Sequence, residues 1–92
     1  MNKCLKIMLI GEPKDGFLQK VVQKHARKLE LEGVVQQIVK DLVKIIVCGK
    51  KDHVDSFIDL LHKEIDKSNF HNIEIEPFLK NKDYRGVFRV VE

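Results

Sequence analysis

The side chains able to do chemistry are few, and most stand apart from one another. Four histidines, His25, His53, His62 and His71, fall at neither HxxxH nor HExxH spacing, so no metal site is expected. His25 lies beside an apolar helical stripe and reads as a packing residue. Cys4 and Cys48 are too distant for a CxxC motif and too few for a disulfide scaffold, so both are expected as reduced strand cysteines. Were their two strands antiparallel neighbours, the sulfurs would come close. No Ser-His-Asp or Cys-His signature occurs, and no cofactor motif is present. What remains is the loop Gly11-Glu12-Pro13-Lys14-Asp15-Gly16, and a pair of amides, Gln36 and Gln37, in the polar part of a half-exposed strand.

The elements that must position these residues follow from periodicity. Residues 3–10 are β-rich and run into the loop at Gly11. From Phe17 the period changes: Leu18, Val22, Ala26 and Leu29 recur at helical spacing, with Lys20, Gln23, Lys24, Arg27 and Lys28 elsewhere, which predicts an amphipathic helix ending near Glu30–Gly33. Gly33 is expected to serve the exit turn. Val34–Val39 and Val43–Cys48 read as a hairpin around Lys40–Asp41. Val54, Phe57, Ile58, Leu61 and Ile65 define a second helix, broken at Ser68–Asn72. Ile73–Glu76 alternates as a strand with one wet face, and Gly86–Val91 is a short last strand. The fold class is therefore α+β. The order β-α-β-β-α-β predicts the ferredoxin-like arrangement, with two helices on one face of an antiparallel sheet of four to five strands.

Size and charge narrow the functions available. With 92 residues the chain is one domain, residues 1–92, too small for a two-domain cofactor enzyme. Its core must be thin, so an active site is expected to be shallow, built on a loop and a sheet edge. The 17 basic and 14 acidic residues are interspersed, and a net charge of +3 gives no basic stripe for nucleic acid. Leu5–Ile10 and Val43–Cys48 contain no aromatics on which bases could stack, while Tyr84 and Phe70 are read as loop residues, so the RNA-recognition layout is set aside. The apolar run Leu5–Ile10 contains Lys6 and is far too short for a membrane span. A cytoplasmic monomer without nucleic-acid or membrane partners is the expectation.

Gly11 through Gln19, then Ala26, then Arg27-Lys28-Leu29-Glu30-Leu31-Glu32-Gly33-Val34-Val35, follow one another at a spacing that continues through Asp41, Gly49, Val54, Phe57 and Val87-Phe88-Arg89-Val90. This arrangement resembles the acylphosphatase family, whose signature loop reads G-x-V-Q-G-V-x-F-R and is followed by a helix alanine, a G-L-x-G turn and W-V-x-N. The resemblance covers nearly the whole chain. It implies hydrolysis of the carboxyl-phosphate bond of acyl phosphates without a cofactor or metal. Backbone N–H groups of the loop, with an arginine, would bind the phosphate, and a strand asparagine would orient the attacking water.

Laid on without a gap, the resemblance assigns phosphate binding to Gly11, Lys14, Asp15, Gly16, Phe17 and Leu18, with Gln19 at the arginine position and Gln37 at the asparagine position. A missing cation about 4 Å from the phosphate is worth about 4 kcal/mol at an effective dielectric near 20, and that corresponds to about a thousandfold in rate. Moving an amide by roughly 1 Å can cost about a hundredfold more. Glu12 and Asp15 bring carboxylates towards the anion, and Lys20 reaches the arginine register only by shifting the alignment. Weak or lost acylphosphatase activity is therefore expected. The alternative is a non-catalytic module that binds a partner protein or a small anion.

Overall fold

A computed structural model describes residues 2–65, 67, 70–78 and 86–91. β1 (Asn2–Gly11) buries Leu5, Ile7 and Leu9 on one face, while the alternate residues Cys4, Lys6, Met8 and Ile10 are only half-buried. A π-helical segment, Phe17–Gln23, continues directly into α1 (Lys24–Lys28). β2 (Glu32–Val39) and β3 (Leu42–Lys50) form the expected hairpin, α2 spans Lys51–Ile65, and β4 (Phe70–Pro77) and β5 (Phe88–Val91) complete the fold.

The strand order is β4-β1-β3-β2-β5. The pairs β4–β1, β1–β3 and β3–β2 are antiparallel, but β5 runs parallel to β2. The sheet is thus mixed rather than antiparallel throughout. β5 had to reach the outer edge of β2, and it arrives there pointing the same way. Both helices cover one face. Leu18, Val22 and Ala26 from the first, and Val54, Phe57 and Leu61 from the second, close over Ile7, Leu9, Val35, Val43, Ile45 and Val47. Phe17 meets Phe70 with ring centroids 4.9 Å apart and Phe57 meets Phe88 at 6.5 Å, both in tilted contacts. Burying an aromatic or aliphatic side chain of this kind contributes about 1.5–3 kcal/mol, so these contacts dominate the stability of a thin core.

Several expectations change in detail. The first helix opens with π-winding over Phe17–Gln23, and Leu18, Val22 and Ala26 all lie buried against the core. The helix exit is carried by Glu30, with φ 57°, and Gly33 lies inside β2 at φ 142°. A Cβ at Gly33 would collide with the Ile46 carbonyl, and its N–H donates to the Val87 carbonyl at 2.9 Å. Phe70 is not a loop residue: it opens β4 and is buried. Tyr84 lies outside the described residues. Among the described residues no helix is long and apolar enough to cross a membrane.

Cys4 and Cys48 face each other across the β1–β3 pairing with Cα atoms 4.1 Å apart and form a disulfide, so the expectation of two reduced thiols is corrected. Sequence reading weighs spacing along the chain, whereas the bond depends on cross-strand register. At the same end of the sheet, Asp55 of α2 accepts from Lys3 of β1 and Lys51, each at 2.9 Å, and these ammonium groups hold its carboxyl below the usual range.

Three outcomes test these features. Gly33→Ala is expected to destabilise the fold by about 3 kcal/mol or more in urea unfolding, because neither the φ nor the space admits a side chain. Reducing the Cys4–Cys48 bridge releases a loop with a sequence separation of 44. It should lower stability by about 2–4 kcal/mol. His25, half-buried, has its Nδ1 enclosed without a hydrogen-bond partner; burial lowers its pKa below 6.5, Lys24 and Lys28 add to this, and Glu64 pulls the other way. The unfolded imidazole takes the proton first, so stability falls as pH drops below 6.5. Chemical denaturation across pH 5–7 should show that slope flattened in His25→Leu.

Candidate functional site

The end of β1 and the β2–β3 hairpin turn lie side by side because β1 and β3 are antiparallel, with Ile10 opposite Leu42. The Gly11 N–H donates to the Asp41 carbonyl at 2.8 Å, which fastens the start of the loop to the turn. The loop then closes on itself: Phe17 N–H donates to the Lys14 carbonyl at 2.9 Å, and Lys20 N–H to the Gly16 carbonyl at 2.7 Å. Gly16 is left-handed, φ 79°, and the Lys20 stem lies over it, 3.1 Å from where a Cβ would stand. Phe17 and Leu18 anchor the helix start by burying their side chains in the core.

On the strand side, the β2–β3 register slips between Gln37 and Val39, a bulge that re-aims the residues next to the turn. Gln37 is exposed, and its Nε2 donates to the Lys40 carbonyl at 2.9 Å, which ties the amide to the turn. Loop and hairpin together enclose a cavity of about 490 Å³. Lys14, Asp15, Gly16, Phe17, Leu18, Gln19 and Gln37 all line it, so seven of the eight residues singled out from sequence meet at one place.

Gly11 stands outside that lining and acts instead through its hydrogen bond to Asp41. Glu12 is exposed and is also not on the wall, so Asp15 is the carboxylate that an anion in the cavity would meet. Lys20 lines a smaller neighbouring cavity of about 260 Å³ with Val21, Glu64 and Lys67. Lys14 reaches towards the end of α2, its Nζ donating to the Lys67 carbonyl at 3.3 Å. Pro13, Val39, Lys40 and Val91 complete the wall and were missed in the sequence. Lys40 and Val39 carried a weak signal through their closeness to Gln37. Val91 carried none, since only the parallel docking of β5 on β2 brings it there. Among the described residues no group of three or more His, Cys, Asp or Glu could hold a metal.

Chemically, the cavity wall carries two lysines, Lys14 and Lys40, one carboxylate, Asp15, and the neutral amides of Gln19 and Gln37. Among curated proteins, none matches the chain. Among solved structures, an acylphosphatase from Coxiella burnetii superposes with TM-score 0.82 at 24% identity, over 98% of this chain and 93% of that one. An acylphosphatase from Bacillus subtilis does so with TM-score 0.82 at 21% identity, over all of both chains. A full-length HypF, in a phosphate- and nucleotide-bound form, matches the whole of this chain with 12% of its own length, at TM-score 0.78 and 23% identity. These likenesses establish the fold. The family model for acylphosphatase matches residues 8–90, nearly the whole sequence, and the chain therefore belongs to the acylphosphatase family.

Proposed function

We propose that this domain binds a phosphorylated or similar small anion in the loop and hairpin cavity, and that its hydrolysis of the carboxyl-phosphate bond is weak or lost. The observation that carries this reading is the pair of neutral glutamines, Gln19 and Gln37, lining the same cavity as Lys14 and Lys40. A phosphate seated there would lie against the loop and the start of the helix, beside the Lys14 and Lys40 ammonium groups. The Gln37 carbonyl oxygen, opposite an Nε2 already given to Lys40, would accept from a water positioned for attack on phosphorus. The carboxylate that leaves is stable as an anion at neutral pH, so no general acid is required. What the chain lacks is a fixed guanidinium on the phosphate: Lys14 is a point charge drawn towards Lys67, and Asp15 opposes it.

A non-catalytic binding role is the second reading, favoured by the Gln37 Nε2 being given to the Lys40 carbonyl. A monomer without nucleic-acid or membrane partners belongs to either reading. So does a cytoplasmic setting, against which the Cys4–Cys48 bridge argues, since such bonds are rare in reducing compartments; trapping thiols by alkylation before lysis distinguishes the two.

Benzoyl phosphate hydrolysis by the purified chain is expected at or near background. Gln19→Arg combined with Gln37→Asn should raise kcat/KM by about a hundredfold to a thousandfold, the value of a restored cation and a repositioned amide. Inorganic phosphate should shift the amide resonances of residues 11–19. Turnover near the enzyme median of about 10 per second, abolished by Gln37→Ala, would falsify the weak-activity reading. Silent amides in both proteins would remove the anion site itself.

A further inference from the structure

We propose that the outer edge of β4 binds an extended peptide segment in which two basic residues flank one apolar residue, added to the sheet as an antiparallel strand. β4 is an end strand of the sheet, with β1 on its inner side. The Phe78 N–H donates to the Cys4 carbonyl at 3.2 Å, which makes these two residues a hydrogen-bonded pair. Such pairs recur at every second residue of an antiparallel ladder, so the backbone groups of Glu76 and Glu74 point to β1 and those of Pro77, Ile75 and Ile73 point outwards. Proline has no N–H to offer, and the Ile73 N–H is already given to Asn72 Oδ1 at 2.9 Å. Ile75, with its donor and its acceptor both turned outwards, is therefore the centre of any strand added here.

The side-chain rows select the partner. Glu76 and Glu74, both exposed, stand opposite Lys6 and Met8. Lys6 meets Glu76 at 2.8 Å, whereas Glu74 forms no salt bridge among the described residues, so this row keeps a net negative charge. With Ile75 in a hydrogen-bonded pair, the incoming residues opposite Glu74 and Glu76 fall in non-hydrogen-bonded pairs, where Cα atoms approach to about 4.5 Å and side chains interact most closely. Lysine or arginine suits both places, as Lys6 already does on the inner side. The residue between them lands beside Ile75, which is 39% exposed, and an apolar side chain covers it. A second copy of β4 does not fit. Antiparallel pairing centred on Ile75 would set Glu74 of each copy against Glu76 of the other, and like charges directly opposite are destabilising.

A blocked peptide, Thr-Val-Lys-Ile-Lys-Val-Thr, and a twin with glutamate in place of both lysines test this. Titrated into the whole chain at low salt, the lysine peptide should shift the amides of residues 73–76 and slow hydrogen exchange at the Ile75 N–H. It should bind about tenfold or more tightly than its twin, because both facing charge pairs change sign. Glu74→Lys combined with Glu76→Lys should reverse that order. Both positions are exposed, and circular dichroism with a dispersed amide spectrum reports that the variant keeps its fold. Equal binding of the two peptides, or an order that survives the charge reversal, overturns the proposal. So does binding that leaves the Ile75 N–H exchanging as before, which is charge attraction without strand pairing. Shifts in β4 that grow with protein concentration in the absence of peptide overturn the choice of partner in favour of a second copy. None of these residues lines the loop and hairpin cavity, so the outcome is independent of the anion-binding reading.

Discussion

The register of β1 against β3 is the constraint on which the rest of the molecule depends. Side chains alternate across a strand, so a slip of one residue would carry Leu5, Ile7 and Leu9 off the helical layer and expose them. The same register sets Ile10 opposite Leu42, and so sets the loop after β1 beside the hairpin turn before β3. At the far end it sets Cys4 opposite Cys48, where a covalent bond holds what the core already specifies. Core, bridge and cavity are thus three consequences of one alignment.

The cavity separates the residues that hold the loop in place from those that face what enters it. Phe17 and Leu18 are buried, and the Gly11–Asp41 hydrogen bond anchors the loop from outside the cavity. Those residues answer to packing, and they keep the loop in place whatever its chemistry. The cavity wall itself carries neutral amides at Gln19 and Gln37, a carboxylate at Asp15, lysines from the loop and from the turn, and valines at the rim. Losing a fixed cation costs about 4 kcal/mol of anion affinity or transition-state stabilisation without disturbing any core contact.

Helical and strand periodicity were legible because burial on one face imposes them locally: Leu18, Val22 and Ala26, or Val54, Phe57 and Leu61, declare their face within a few turns. Even so, local spacing did not reveal the π-winding, because i, i+4 and i+8 share one face in an ordinary α-helix as well. Nor did it place Phe70, whose burial comes from its ring contact with Phe17 across the fold. The parallel sense of β5 was invisible for the same reason, since a four-residue strand carries no mark of its neighbour's direction.

By itself, then, the sequence determined the element order, the faces that pack, the family likeness and most of the residues around the loop and hairpin cavity, because each of these is written in nearest-neighbour spacing or in matched motif positions. Tertiary structure alone decided that Cys4 meets Cys48, that Glu12 stands off the cavity, that Gln37 is held by the Lys40 carbonyl, and that Val91 joins Val39 at the rim. Each of those facts depends on register between segments far apart in the chain, and register is settled by the packing of the whole core rather than by any stretch of residues read alone.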